Sequence, residues 1–290
     1  MQDRSENSYH RALFAELRRL GHVEGENLIV ERYGREKNAA DAARIVETVI
    51  KSRPDVIYVI GPGAFLFKQA TAAIPIVALT GDPLQQRLID TLAHPGGNVT
   101  GVSVDAGPTI NGKRVALLHE MFPGMNKLAF LTSRFQWEGQ AAAVHAAAKG
   151  FGADVVDLPM ELPTSAADYG AAIAKAKSQG ANAIMVGDNP DTMTNRALIA
   201  DLVGRAGWPA IYPFAEFIDV GGLMAYSFDL VELFERAADD IDAILRGANP
   251  GDIPFYQASK FELSLNLKTA KALSLSVPAT LLAAAEKVVE

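Results

Sequence analysis

Short apolar runs rich in β-branched residues alternate with amphipathic helical stretches along nearly the whole chain. A strand that is apolar at successive positions has to be covered on both faces, and the chain that covers it is helical. The pattern predicts strands at residues 28–32, 55–60, 75–80, 127–132, 153–158, 181–186, 209–214, 223–227 and 261–267. It predicts helices at 9–20, 39–52, 64–73, 83–93, 111–121, 138–149, 166–179, 192–205 and 230–246, with a last one starting at Pro278. Between them, LAHPGGNVTGVSV (residues 92–104) reads as a tight turn feeding a further strand, and residues 248–254 read as a linker. This βαβα order implies parallel sheets with helices on both faces. There are too many strands for one sheet, and the series restarts after Pro123-Gly124, so two doubly wound domains are expected.

Composition removes several function classes. The 290 residues carry a net charge of −7 and no Lys/Arg block that would neutralise a phosphate backbone, so no nucleic-acid partner is expected. The longest apolar runs fall far short of the ~20 residues that span a bilayer. Cysteine is absent, which excludes disulfides, thiol nucleophiles and thiolate metal sites. MQDRSENSYH, the first ten residues, is polar and has no apolar segment of the signal-peptide kind. GPGAFL lacks the third glycine of a dinucleotide fingerprint, and LHEMF lacks the second histidine of a zinc-protease helix. Neither a phosphate-binding G-x-x-x-x-G-K-[ST] loop nor a G-x-S-x-G nucleophile elbow occurs. His10, His22, His94, His119 and His145 are dispersed. No catalytic residue, metal or cofactor is therefore expected, and the chain reads as a binding protein and not an enzyme.

Open parallel sheets bind ligands beyond the carboxyl ends of their strands. In the first half those ends are Gly61, Pro62, Gly63, Ala64 and Phe65, then Thr80, Gly81 and Asp82. In the second half they are Ser133, Arg134, Phe135 and Trp137, then Asp188 and Asn189, then Phe214, Ala215 and Glu216, with Tyr226 on the next strand. Backbone N–H groups near Gly63 and Ala64 suit a carboxylate at a helix start. Asp82 or Asp188 suits an ammonium, and Trp137, Phe214 and Tyr226 suit the walls around an apolar side chain. Together these ingredients fit an amino-acid-like zwitterion. Each also has a local role open to it. Asp82-Pro83 and Asn189-Pro190 are ordinary helix-start chemistry, an Asx cap followed by proline. Trp137 is apolar enough for packing, and of Ile211 and Tyr212, adjacent on a strand, one faces the core.

LGHVEGENLIVERY, IPIVALTGDPL, LAHPGGNVTGVSV and KFELSLNLKTAKALSLSVPATLL together resemble the substrate-binding proteins of ABC transporters whose better-known members take up tryptophan, tyrosine or phenylalanine. The resemblance runs from about Phe14 to Glu290. It implies a type I periplasmic binding fold: two Rossmann-like domains, joined by three crossovers, that close on a small molecule, an amino acid or aromatic acid, in the interdomain cleft. It implies residues 1–122 plus 228–250 as one lobe and 123–227 plus 251–290 as the other, with crossovers near Phe122, Phe228 and Gly251. It further implies a permease in the inner membrane as partner, a periplasmic location and a monomer. The PGGNVTG turn would be scaffold and not ligand site. Family members open with an apolar strand before the first helix, which MQDRSENSYH does not supply; a truncated chain or a misassigned start would account for that. Aromatic-ligand members often carry a small residue and a threonine where Pro62 and Phe65 stand. The alternative that the same fold allows is a cytosolic small-molecule sensor or effector domain.

Overall fold

A computed structural model describes residues 8–34, 39–61, 63–104 and 109–290. Pro62 and the first seven residues lie outside the described residues. The elements in chain order are α1 (Ser8–Arg19), α2 (Ala39–Ser52), β1 (Ile57–Ile60), α3 (Gly63–Ala70), β2 (Ile76–Thr80), β3 (Val99–Ser103), α4 (Thr109–Met121), β4 (Lys127–Ser133), α5 (Arg134–Gly150) and β5 (Asp154–Met160). They continue with α6 (Ala166–Ser178), β6 (Ala183–Val186), α7 (Pro190–Thr194), α8 (Arg196–Ala206), β7 (Ala210–Tyr212), α9 (Glu216–Asp219) and β8 (Met224–Phe228). Last come α10 (Leu230–Leu245), β9 (Tyr256–Gln257), β10 (Phe261–Asn266), α11 (Leu267–Ala272), α12 (Ala279–Ala284) and β11 (Ala285–Val289). The chain divides into two compact units, Met1–Ala106 with Asp229–Ser259, and Gly107–Phe228 with Lys260–Glu290.

The first unit holds a parallel sheet in the order β1-β2-β3-β9. β2 and β3 are buried at all five of their positions, whereas β1, which among the described residues has a neighbour on one side only, exposes Ile60. Each Ile, Val or Leu fully covered in this way contributes about 1.5–3 kcal/mol relative to exposure, so the central strands carry the unit. One face packs Val49 of α2 and Ala64 and Phe67 of α3 against Ile57, Ile76, Ala78 and Val99. α10 lies against β2 and β3 and packs in turn on α1. The α1 residues Leu13 and Leu17, one turn apart, are buried.

The PGGNVTG stretch locks this sheet. Asn98 donates through Nδ2 to the carbonyls of Thr71 (3.0 Å) and Ile74 (2.8 Å), and its own carbonyl accepts from Ile76 N (2.8 Å). Gly101 sits on β3 opposite Ala78 of β2 with φ +142°. A Cβ there would lie 2.0 Å from the Ala78 carbonyl oxygen. No side chain fits between two hydrogen-bonded strands at that distance.

The second unit holds a seven-stranded sheet in the order β11-β10-β8-β7-β6-β4-β5. Its pairs are parallel except β8 with β10. β6 and β7 are wholly buried at the centre, and the edge strand β5 alternates buried and partly exposed positions. Because successive strand residues point to opposite faces, Leu128, Phe130, Ala183 and Met185 share a core with Val115, Leu118 and Met121 of α4 and Val144 of α5. α6 and α8 pack on each other, α6 also against β5, and α9 against β8.

Several expectations are corrected. Residues 28–32 form no strand: one isolated bridge joins Glu24 and Leu28, and Ile29 is 92% exposed, because no neighbouring strand among the described residues pairs with them. Residues 83–93 form hydrogen-bonded turns and no helix, with Arg87 at φ +54°, a conformation that ends a helical run. The helix expected at 192–205 is two helices that meet at Asn195. The linker at 248–254 is followed by β9, and the last helix gives way to β11. The first division of the chain falls at 106/107 and not near Phe122, because α4 puts Leu117, Leu118 and Met121 into the second unit's core. The third falls at 259/260 and not near Gly251. Residues 251–258 stay with the first unit: Gly96 N donates to Gly251 O (3.2 Å), Phe255 N to Leu92 O (2.7 Å) and Ala258 N to Ser103 O (3.0 Å).

Gly101→Ala is expected to destabilise the chain by about 2–4 kcal/mol, since it adds a left-handed backbone penalty to overpacking. Gly97→Ala, whose Cβ would meet nothing within 4 Å, is expected to stay within about 0.5 kcal/mol of the parent. Urea unfolding of the two variants checks this.

Candidate functional site

Parallel strands bring their carboxyl ends to one edge of each sheet, and the loops that follow carry the polar groups of interest. In the first unit β1 is followed by Gly61, buried at φ +85°, whose N–H donates to Leu79 O (2.8 Å). Gly63 opens α3, and the Ala64 N–H is turned toward Gly61 O (3.4 Å). Ala64 is fully buried, and Phe65 is among the exposed large apolar residues. At the end of β2, the buried Thr80 hydroxyl donates to Gln86 Oε1 (2.9 Å), and Gly81 O accepts from Ser103 Oγ (2.9 Å). Asp82 Oδ1 accepts from the N–H groups of Leu84 (2.8 Å) and Gln85 (3.1 Å). Its local capping role is thus present even though no helix follows.

In the second unit Ser133 closes β4 and caps α5, which begins at Arg134, four residues earlier than the apolar spacing implies. Arg134 and Phe135 are therefore on the first helical turn and not in a loop. Arg134 pairs with Glu161 at an exposed position, and Phe135 is also exposed. Trp137 packs on the core. β6 is followed by Gly187, whose N–H donates to Leu131 O (2.8 Å). A Cβ on Gly187 would stand 2.2 Å from Thr132 Oγ1, so glycine alone lets the ends of β4 and β6 come this close. Asn189 caps α7: its Oδ1 accepts from Thr192 N (2.8 Å) ahead of Pro190. Phe214 meets Phe228 edge-on at 5.8 Å, and Tyr226 stacks on Phe261 at 5.7 Å. Ile211 and Tyr212 are both buried, Tyr212 stacked on Phe217 at 4.3 Å. Glu216 Oε1 is buried with no hydrogen-bond partner among the described residues, and burial pushes its carboxyl above the usual range.

Asp188 is the centre of this edge. Its Oδ2 accepts from Arg114 Nη1 (3.2 Å) and its Oδ1 from Gln140 Nε2 (3.4 Å), while its backbone carbonyl accepts from Gln136 Nε2. Arg114 Nε also donates to Tyr226 O (3.1 Å). Arg114 is 0% exposed and Asp188 6%. Asp188, expected to hold an ammonium, is paired here with a buried guanidinium that offsets its charge. Arg114, Gln136 and Gln140 thus tie Ser133, Asp188 and the Tyr226 carbonyl to α4 and α5, while Arg134 pairs with Glu161 and Phe214 packs on Phe228.

The connecting residues Arg114, Gln136 and Gln140, and the buried Asn111, are absent from the sequence-based set. Two of them left a readable signal. The α4 pattern Asn111-x-x-Arg114-Val115-x-x-Leu118-x-x-Met121 places an amide and a guanidinium within the inward apolar stripe, and buried polar groups at such positions need internal partners. Among the described residues no group of three or more His, Asp or Glu could hold a metal ion, and no helix is long and apolar enough to cross a membrane.

Arg114→Met leaves Asp188 buried and uncompensated, and is expected to cost about 3–5 kcal/mol. Arg114→Met combined with Asp188→Leu is expected to lose less than half of that, because no bare charge remains. Urea denaturation of the single and paired variants gives the comparison.

Residues 7–289 match the family model described as ABC transporter substrate binding protein. A "Tyrosine-binding protein" of Clostridioides difficile (strain R20291) is 24% identical over 264 residues, covering 88% of this chain and 73% of the relative. A Streptococcus pneumoniae ABC domain solved in complex with L-Trp superposes with a TM-score of 0.88 at 22% identity, covering 97% of this chain and 94% of that one. A conserved domain protein from Vibrio cholerae O1 biovar El Tor superposes with a TM-score of 0.88 at 24% identity, covering 96% and 93%. The architecture is that of type I periplasmic binding proteins, with Rossmann-like α/β units, and the chain belongs to the ABC transporter substrate-binding protein family.

Proposed function

We propose that this chain is the solute-binding component of an ABC importer and that its solute is an amino acid or a small aromatic acid. The supporting observation is the polar cluster Ser133, Asp188 and Asn189 at the carboxyl ends of β4 and β6, with Trp137 on the first turn of α5 and Tyr226 on β8. The names carried by the Clostridioides and Streptococcus relatives add support for an aromatic amino acid. On this reading Trp137 and Tyr226, with Phe214 behind them, flank the ligand's side chain. The ligand stabilises one conformation of the chain by binding it better than the others, which is all the free energy available for signalling occupancy. The reader of that conformation is a membrane permease, met on the periplasmic side by a monomer. Substrate turnover has no part in the scheme.

Thermal unfolding in the presence of amino acids, aromatic acids and sugars tests the proposal. A ligand present at about 100 times its Kd adds about 2.7 kcal/mol of stability, a shift of several degrees. L-Tyrosine, L-tryptophan or an aromatic acid is expected to give that shift, and Trp137→Ala is expected to remove most of it. A shift with sugars alone, or with none of these solutes, contradicts the assignment.

A further inference from the structure

The first unit buries a carboxylate oxygen that it does not pair. Asp240 Oδ2, on α10, has no hydrogen-bond partner among the described residues. Ala237 and Ile244, one turn to either side of Asp240 on the same flank of the helix, are buried. α10 packs on β2 and β3. Ile76, Ala78 and Val99 of those strands point to α2 and α3, so strand alternation turns Val77, Leu79, Thr100 and Val102 toward α10. All four are buried, and the Thr100 hydroxyl is spent on Ile253 O (2.8 Å). That face offers a carboxylate no side-chain donor. A buried polar atom left in this way calls for an explanation, because folded chains pair nearly all of theirs.

The charges around Asp240 are few and mostly engaged elsewhere. Arg236, one turn earlier, holds its guanidinium over the Tyr256 ring of β9, 5.0 Å from the centroid, and 4.0 Å from Asp239. Glu232 accepts from Tyr256 Oη (2.8 Å). α1 packs on another flank of α10, where Phe234 meets Tyr9 (5.6 Å) and both His22 and Arg246 reach Asp242 (2.7 Å each). On that flank Glu16 and Arg19 pair with each other. β2 and β3 carry no titratable side chain. Burial first, and the Asp239 carboxylate after it, push the Asp240 carboxyl up to about 7, against the pull of Arg236. We infer that Asp240 is a proton switch on the seat of α10: the neutral acid is accepted beside the first sheet, and the ionised form draws water under the helix and loosens it. The proton passes to solvent, and nothing else changes covalently. The folded chain keeps this proton between about pH 4 and about pH 7, where the unfolded chain has released it. The stability it brings is therefore present in acid, lost as the pH rises through that window, and level above it. The first unit is firmest in mildly acidic surroundings, whatever the solute.

Hydrogen–deuterium exchange of residues 230–245, expressed as protection relative to the intrinsic rate at each pH, tests the switch between pH 5.5 and pH 8. In the parent, protection is expected to fall about tenfold or more. In Asp240→Asn, which keeps the shape and has no proton to lose, it is expected to change less than twofold. Asp239→Asn removes the neighbouring charge; it is expected to keep the fall and to move its midpoint to lower pH, a shift that a purely structural role would not produce. Melting curves at pH 5.5 establish that each variant folds. Asp240→Leu takes the place of Asp240→Asn where the amide is not tolerated, with the same expected outcome. A parent helix equally protected at both pH values, or an Asp240 variant that loses protection as the parent does, overturns the switch.

Discussion

An arginine with no solvent exposure has to find its counter-charge inside the protein, and most of the second unit's geometry follows from how Arg114 does so. Its guanidinium reaches Asp188 at the end of β6 and the Tyr226 carbonyl on β8, so one side chain fixes α4 against two strands. Gln136 and Gln140 bring α5 to the same aspartate. Moving two ions out of water costs several kcal/mol per ion before any attraction is counted, so a pair of this sort adds little net stability. What it does supply is position. The strand-end loop that holds Asp188 and Asn189 is tied from two helices and is capped within itself by Thr192. A rigid polar edge with its charge already balanced is a surface on which a small molecule loses little to rearrangement of the protein.

Close approach of backbones does comparable work elsewhere. Gly187 lets the ends of β4 and β6 come within side-chain distance of each other, and Gly101 lets β3 run against Ala78 of β2. In both sheets a residue with no Cβ stands where strands are pressed together, Gly187 just past β6 and Gly101 in the middle of β3. The scaffold reading of PGGNVTG agrees with this: Asn98 and Gly101 are spent on carbonyls and strands of the first unit, and their hydrogen bonds run inward.

The central strands and most helices were legible in the sequence because each carries its own periodicity. α2 falls on the expected residues, and β2 and β4 fall within a residue of them. The misses have particular causes. Leu28, Ile29 and Val30 are apolar, but a strand needs a neighbour as well as a composition. Residues 83–93 carry a helix-start signal, Asp82-Pro83, which Asp82 spends on two turn amides instead. Pro190 starts a helix as expected, but the helix lasts one turn before Asn195 resets it, because the capping signal specifies a beginning and no length. β9 and β11 are two and five residues long, with little burial to mark them. Of the site, the loops at strand ends were readable from topology alone. Arg114 was not, because its significance depends on a partner 74 residues away that only the fold supplies.

The account as a whole claims that a small solute is bound by the loops at the carboxyl ends of the parallel strands. Hydrogen–deuterium exchange with and without saturating L-tyrosine or L-tryptophan addresses that claim directly, since exchange reports which backbone groups a ligand protects. The account predicts slowed exchange at residues 133–137 and 187–192, with the amino-terminal ends of β4 and β6 unchanged. Slowing confined to those amino-terminal ends, or no slowing anywhere in the chain, would contradict it.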